Sequence, residues 1–415
     1  MVPNKFLPSQ LGEIPTGWSR VKFSDVMSVR QGLQISISKR LKVPTKTSKE
    51  YITIQSIKKT EQVREYVEAP TKRVTCSKED VLMTRTGNTG IVVTDVEGAF
   101  HNNFFLMDFD RQQVDRNFLV NYLRSNRVQH LILTKAGAST IPDLNHKDFY
   151  SIEFPLAPLS EQRKIAKILS TWDKAISATE RLIDNSKQQK KALMQQLLTG
   201  KKRLLDDSGK PFEGEWEEIA VGDLGTIYSG GTPSTTNKAY WDGGIDWITP
   251  TDITKQDSVY IKSSVRKISY EGLKNSSAKL VPKGSLLVCT RATIGEMAIT
   301  AHEMCTNQGF KNIIPNKKTN IEFLFYLLTY QKYKLVSKAS GSTFLELSKS
   351  AFESMKFRVP IIDEQQKIAS VLNNADQEIE LLEQQLADLK KEKKALMQQL
   401  LTGKRRVKVD DKEVA

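Results

Sequence analysis

The sequence predicts an α+β protein built as a tandem repeat. Two α/β globules are each followed by one long α-helix, and the two helices form an antiparallel coiled coil around a pseudo-two-fold axis. Three observations predict this. The segment Lys-Lys-Ala-Leu-Met-Gln-Gln-Leu-Leu-Thr-Gly-Lys occupies residues 190–201 and recurs unchanged at 393–404. At that offset of 203, 23 of 44 ungapped pairs between residues 161–204 and 364–407 are identical, far beyond chance. Within both stretches apolar residues recur at heptad spacing, with no Pro or Gly before Gly200 and Gly403.

The first globule spans residues 1–157. It holds short β-rich runs at 51–57 and 90–94, then an amphipathic helix at 115–136. Pro158 opens the first spacer-helix region, residues 158–204, whose seam runs through Ile165, Leu169, Trp172, Ile176, Ile183, Leu193 and Leu197. Thr179, Ser186 and Lys190 weaken that seam. The second globule, residues 205–359, has β-rich runs at 285–290 and 297–300 and a helix at 320–339. The second spacer helix, residues 360–407, carries Ile368, Leu372, Ala375, Ile379, Leu382, Leu386, Leu389, Leu396 and Leu400, and a short tail covers 408–415. Each helix is about 40 residues and about 60 Å long at 1.5 Å per residue. Gly200 and Gly403 are C-terminal stops followed by basic residues.

A strict seam needs a partner. If the second globule begins and ends in one place, as domains often do, the second helix must run back along the first. The alternative is that each helix pairs with another molecule. The globules repeat more loosely: Trp18 and Asp25 answer to Trp216 and Asp223, Thr84-Arg85 to Thr290-Arg291, and Gly137-Ala138-Ser139-Thr140 to Gly341-Ser342-Thr343. One scaffold carrying two different surfaces is the reading that follows.

Across 415 residues, 62 Lys and Arg face 48 Asp and Glu, a net charge of +14. That excess favours a polyanion, nucleic acid first and an acidic membrane surface second. A hydrophobic fraction of 39% is enough for real cores and excludes a disordered chain. Cys76, Cys289 and Cys305 are too scattered for a disulfide framework or a zinc site. The N-terminus lacks the apolar segment of a signal peptide, and no run of apolar residues is long enough to span a bilayer, so a cytoplasmic protein is expected.

The globule loops are rich in side chains that bond base edges and phosphates. In the first globule the candidates are Arg85, Thr86, Asn88, Asn102, Ser139 and Thr140; in the second, Thr232, Ser234, Tyr240, Trp241, Arg291, Thr293, Asn307, Gln308, Ser342 and Thr343. Arg pairs with guanine and Asn or Gln with adenine in the major groove, while Ser and Thr contact either bases or phosphates. Arg85 and Arg291 stand out because each follows Thr before a tight turn. Trp241 and Trp247 suit a core as well as a stacking surface.

No catalytic constellation appears: there is no phosphate-binding GxxxxGK[ST], no HExxH, no GxSxG and no GxGxxG. The Asn-Pro-Pro-aromatic signature of amino-methyltransferases is also absent. His101, His130, His146 and His302 are far apart in sequence. Glu161 to Lys164 and Glu364 to Lys367 could pass for nuclease pairs, but both open a helix, where Glu suits the first-turn dipole.

Pro-Leu-Ser-Glu-Gln-Arg-Lys-Ile-Ala at 158–166, Pro-Ile-Ile-Asp-Glu-Gln-Gln-Lys-Ile-Ala at 360–369 and the duplicated Leu-Leu-Thr-Gly ends carry a family resemblance. So do Gly-Gly-Thr-Pro-Ser at 230–234, Tyr240-Trp241 and Trp-Ile-Thr-Pro at 247–250. The chain resembles the specificity subunit of type I restriction–modification enzymes over nearly its whole length. The first globule departs from the pattern, with Arg30-Gln31-Gly32-Leu33-Gln34 and no Gly-Thr-Pro-Ser.

The resemblance implies two target-recognition domains that each read one short block of double-stranded DNA, held apart by the helices as a ruler. It implies that the helices, with seam residues Ile165, Leu169, Trp172, Ile176, Ile368, Leu372, Ile379 and Leu386, dock two methyltransferase subunits, and that translocase/endonuclease subunits join them. This chain would then hold no cofactor: S-adenosylmethionine, ATP and Mg²⁺ would belong to the partners, in a bacterial or archaeal cytoplasm with no membrane. Two competitors remain: an enzyme hidden in a globule, and a coiled-coil scaffold or DNA-binding protein outside restriction–modification.

Overall fold

The computed structural model describes residues 6–7, 14–58, 64–137, 140–256, 258–341 and 345–409. The chain forms two compact units, Met1–Glu180 with Gln385–Ala415, and Arg181–Gln384. The long helices, Leu159–Leu197 and Ile362–Leu400, therefore each contribute one half to each unit. Each is 39 residues long, about 58 Å at the α-helical rise.

In the first unit one sheet orders its strands Met27–Gln31, Phe104–Phe109, Val81–Thr84 and Val92–Val93, all antiparallel. Val81–Thr84 is buried at every residue, as expected of a central strand covered on both faces. A second sheet orders Tyr66–Val67, Lys49–Ile52, Gly98–Phe100 and Thr75–Cys76, with Gly98–Phe100 parallel to Lys49–Ile52. The β-rich run at 51–57 is thus a strand only to Ile52. Thr53 and Ser56 exchange hydrogen bonds that start a helix at Ile54–Lys58, because a hydroxyl at that point satisfies the first free N–H groups.

The second unit repeats this plan. Its main sheet orders Gly225–Ser229, Phe310–Pro315, Leu286–Cys289, Met297–Thr300 and Tyr260–Ile261. Its smaller sheet orders Lys267–Ile268, Trp241–Ile248 and Cys305–Thr306, again with one parallel pair. The helix expected at 115–136 is two helices, Arg116–Arg124 and Asn126–Ala136, broken where Ser125 adopts extended backbone. The helix expected at 320–339 likewise breaks at Gln331, into Ile321–Tyr330 and Lys332–Lys338. Both segments of each pair bury apolar side chains in the core, Leu119 and Ile132 in the first unit, Leu324 and Leu335 in the second.

Inside each unit the two helices run antiparallel. Lys393 pairs with Asp173 at 2.5 Å and Lys390 with Glu180 at 2.8 Å in the first unit. Lys187 pairs with Glu383 at 2.6 Å in the second, and Lys190 with Asp376. Partner numbers fall as the first helix rises, which only opposed helices allow. Trp172, Ile176 and Leu386 are half-buried, and Ile183 and Ile379 are buried. Ile165, Leu169, Ile368 and Leu372 are fully buried, but inside the globule cores rather than along a bare helix seam. They are consequently closed to any partner.

The duplicated ends of the helices are locks. Gly403 and Gly200 take positive φ, 71° and 70°, closing helix ends in which Arg405 N–H reaches Gln399 and Lys202 N–H reaches Gln196. Each Gly lies against a Trp: a side-chain carbon at Gly403 would sit 3.4 Å from Trp18, and one at Gly200 3.4 Å from Trp216. Beyond each Gly an Arg reaches the buried Glu that opens the other helix. Arg406 Nε donates to Glu161 at 2.8 Å, and Arg203 Nε to Glu364 at 2.6 Å. The next residues, Gln162 and Gln365, are also buried. Each accepts from the backbone N–H of a helix N-cap, Asp115 or Asn320, at 2.9 Å and donates to two carbonyls. Glu-Gln at the head of each helix is an anchor between helix and globule.

Candidate nucleic-acid interface

In each unit three loops gather beside the parallel strand pair. The backbone hydrogen bonds match them residue by residue. Leu33 N–H bonds Phe100 O as Gly231 N–H bonds Thr306 O, and His101 N–H bonds Ile52 O as Asn307 N–H bonds Ile248 O. Residues 31–34 of the first unit therefore occupy the place of 229–232 in the second. Gln-Gly-Leu-Gln is the counterpart of Ser-Gly-Gly-Thr, although the two share only one glycine.

That glycine is required by close approach. A side-chain carbon at Gly32 would lie 2.1 Å from Phe100 O, and one at Gly230 1.8 Å from Asn307 O. An aromatic pins the following residue: Tyr51 Oη donates to Leu33 O at 2.7 Å, and Trp247 Nε1 donates to Gly231 O at 2.8 Å. A turn is then closed alike, Asn103 N–H to His101 Nδ1 at 3.1 Å and Gly309 N–H to Asn307 Oδ1 at 2.9 Å. Side chains bridge loop and turn: Asn102 Nδ2 donates to Gln34 Oε1 at 2.9 Å, and Thr232 bonds Gln308. Skeleton and wiring are shared, while the side chains at the surface differ.

The third loop follows Val81–Thr84 or Leu286–Cys289. Gly90 N–H bonds Thr84 O, and Gly295 N–H bonds Cys289 O. Leu144 N–H bonds Arg85 O, and Leu347 N–H bonds Thr290 O. Arg85 is thus the counterpart of Thr290, and Thr86 that of Arg291. The matching Thr-Arg pairs in the sequence are one residue out of structural register, and since strand side chains alternate, the two arginines face differently.

Arg85 packs over the Phe105 ring at 5.2 Å, and its Nη2 bonds both oxygens of Asp143 at 2.9 and 2.8 Å, so it braces the loop. Thr86 Oγ1 also donates to Asp143, at 2.5 Å. In the second unit Lys311 stands in the place of Phe105, buried near Glu346, and Thr290 in the place of Arg85. The cation has crossed to the neighbouring strand, where burial lowers the Lys311 pKa. Arg291 is exposed, with Nε 3.9 Å from Glu346, and remains available to a ligand.

A family model described as the type I restriction modification DNA specificity domain matches twice, over residues 15–186 and 213–391. The chain belongs to that family. It is 27% identical over 423 residues to the putative type I restriction enzyme MjaX specificity subunit of Methanocaldococcus jannaschii, covering 97% of each chain. It is 41% identical over 169 residues to the MjaIX specificity subunit of the same organism, covering 40% of this chain and 39% of that one. The solved S subunit of a type I restriction-modification system from M. genitalium has the same fold, with a TM-score of 0.57 at 16% identity over 96% of this chain and 97% of that one.

Within this specificity-domain frame the sequence candidates separate. Asn88, Ser234, Gln308, Arg291 and Thr140 are exposed; Asn102, Thr232, Tyr240, Trp241, Thr293 and Asn307 are half-buried. Ser139, Ser342 and Thr343 lie outside the described residues. Trp241 belongs to the wiring as well as the surface, donating through Nε1 to Ser234 O at 3.0 Å and meeting Trp247 edge-on at 5.0 Å. Three residues escaped the sequence reading: Gln34, Tyr51 and Arg266. Gln34 had a signal in its closeness to Gly32; Arg266 had none, since only folding brings it onto Trp241.

Burial pushes the Cys289 and Cys305 thiols up to about 12 and Cys76 to about 11, which leaves them protonated. Among the described residues no group of three His, Cys, Asp or Glu side chains converges as a metal site, and no helix is long and apolar enough to cross a membrane.

Proposed function

We propose that this chain is the sequence-specific DNA-reading subunit of a type I restriction–modification complex, without catalysis of its own. Each unit reads one block of an asymmetric, bipartite double-stranded target, and the paired helices set the spacing between blocks. The helices also dock two methyltransferase subunits, and translocase/endonuclease subunits complete the assembly. S-adenosylmethionine, ATP and Mg²⁺ belong to those partners, where a target adenine would be flipped out for methylation.

One observation carries this reading. The two units share a loop skeleton down to single hydrogen bonds, yet dress it differently: Gln34 and Asn102 in one, Thr232 and Gln308 in the other. Backbone contacts position a protein on DNA and base contacts specify the sequence. A common skeleton with different side chains is what two reading heads for two different blocks require. The net charge of +14 supplies the attraction for phosphate.

The test is a map of methylated adenines in cells that express the partner methyltransferase with and without this chain. A split motif that appears only with the chain is expected. An unchanged map would overturn the proposal and favour a DNA-binding scaffold outside restriction–modification.

A further inference from the structure

We propose that Arg266 is a specificity-determining residue of the second unit and that it reads a guanine, an inference that rests on the DNA-reading function above. The two units share one loop skeleton. What they share positions the nucleic acid; what they do not share is free to discriminate. In both, a cation lies over the aromatic that pins the glycine loop, and its fate differs.

In the first unit that cation is Arg40, 5.2 Å from the Tyr51 ring centre. Its terminal nitrogens are engaged inside the protein, Nη1 donating to Glu65 at 2.8 Å and Nη2 to Ile35 O at 3.4 Å, its Nε is buried, and the side chain is only 14% exposed, so the fork is closed to an outside ligand. In the second unit it is Arg266, whose guanidinium lies 3.8 Å from the Trp241 ring centre and 5.1 Å from that of Trp247. Arg266 is exposed, and among the described residues no carboxylate pairs with it. The nearby Asp246 is occupied by His302 at 3.0 Å, Lys267 at 3.4 Å and the Ser264 backbone N–H at 2.9 Å.

The main chain of Arg266 is also fixed, its carbonyl accepting from Trp247 N–H at 3.2 Å and Ser264 Oγ at 2.5 Å. The result is a permanently charged fork, stacked and held, with its donors unspent. Two parallel N–H donors match O6 and N7 of guanine, the commonest specific contact in the major groove, and stacking lowers the entropy lost when they engage. A lysine offers a single rotating ammonium in place of a planar fork, so it engages the same two acceptors less rigidly.

The experiment uses the full chain. Its preferred target is first selected from random duplexes; the wild type, Arg266→Lys, Arg266→Gln and Arg40→Gln are then titrated against duplexes altered at each base in turn. Wild type is expected to prefer guanine at one position of one block by tenfold or more. Arg266→Gln should lose that preference and Arg266→Lys should keep only a reduced one, while the other block is read unchanged, and Arg40→Gln should keep it in full. Arg266→Lys retains charge and stem, so it decides the matter if Arg266→Gln unfolds. Full discrimination at every position in both Arg266 variants would overturn the inference. A wild type with no sequence preference at all would instead overturn the DNA-reading function, and the inference with it.

Discussion

Arg203 grips Glu364 through two bonds, Nε to Oε1 at 2.6 Å and Nη2 to Oε2 at 2.7 Å, across 161 residues of chain. Glu364 is wholly buried, and the ion pair raises the Arg203 pKa. The bond ties the end of the first long helix to the start of the second, and in the other unit Arg406 with Glu161 ties the end of the second to the start of the first. A bidentate pair on a buried carboxylate is a geometric lock.

Removing one partner strands a buried charge. Arg203→Ala should destabilise the second unit by about 3–5 kcal/mol, while Arg203→Leu with Glu364→Leu should recover most of that loss. Urea unfolding followed at Trp216 and Trp241 against Trp18 would read the two units separately, and Arg406→Ala should reverse the pattern.

The one-residue shift between the Thr-Arg pairs separates two arginines that look alike. Arg85→Ala should lower thermal stability, because it removes the brace on Asp143. Arg291→Ala should leave the melting temperature unchanged and weaken one block only. Equal loss at both blocks would make Arg291 a general phosphate or folding residue.

Gly230→Ala places a carbon 1.8 Å from a carbonyl oxygen that cannot yield without moving the turn at Asn307. Recognition of one block should fail, with the other intact, in a binding assay on single-block substitutions. Gly244→Ala, where a side chain meets nothing within 4 Å, is the control.

Burial opposes ionisation of Asp246, but hydrogen bonds from Ser264 and His302 outweigh it and hold its carboxyl below the usual carboxylate range. A depressed carboxylate contributes stability above its unfolded pKa, near 4, and loses it as pH falls through the folded value. Asp246→Asn should therefore destabilise the second unit at pH 7, and the gap to wild type should close below about pH 4. Thermal melts across that range check the sign.

If the helices set the spacing, deleting one heptad from both should shorten it by about 10 Å, roughly three base pairs, without changing either block. The selected motif reports this directly, and an unchanged spacing would contradict the ruler.

Much of this architecture is legible in the sequence because heptad period and exact duplication survive without tertiary information. Glu161 and Glu364 were visible as helix starts, but their burial under Arg406 and Arg203 was not, since each pair joins opposite ends of different helices. Arg85 and Arg291 were visible as a motif, yet the dipeptides coincide by residue type and not by strand register. Exchange of Arg85 and Phe105 for Thr290 and Lys311 conserves a cation in this part of the loop, half-buried in one unit and buried in the other, while erasing any similarity. Gln34 and Asn102 meet across 68 residues, so only the fold joins them.

Whether two units of one chain read two blocks is decided by selection of the purified full chain on random duplexes. Two enriched blocks at a fixed spacing, one lost in Gly32→Ala and the other in Gly230→Ala, are predicted. A single block, or two that fail together in either variant, would contradict it.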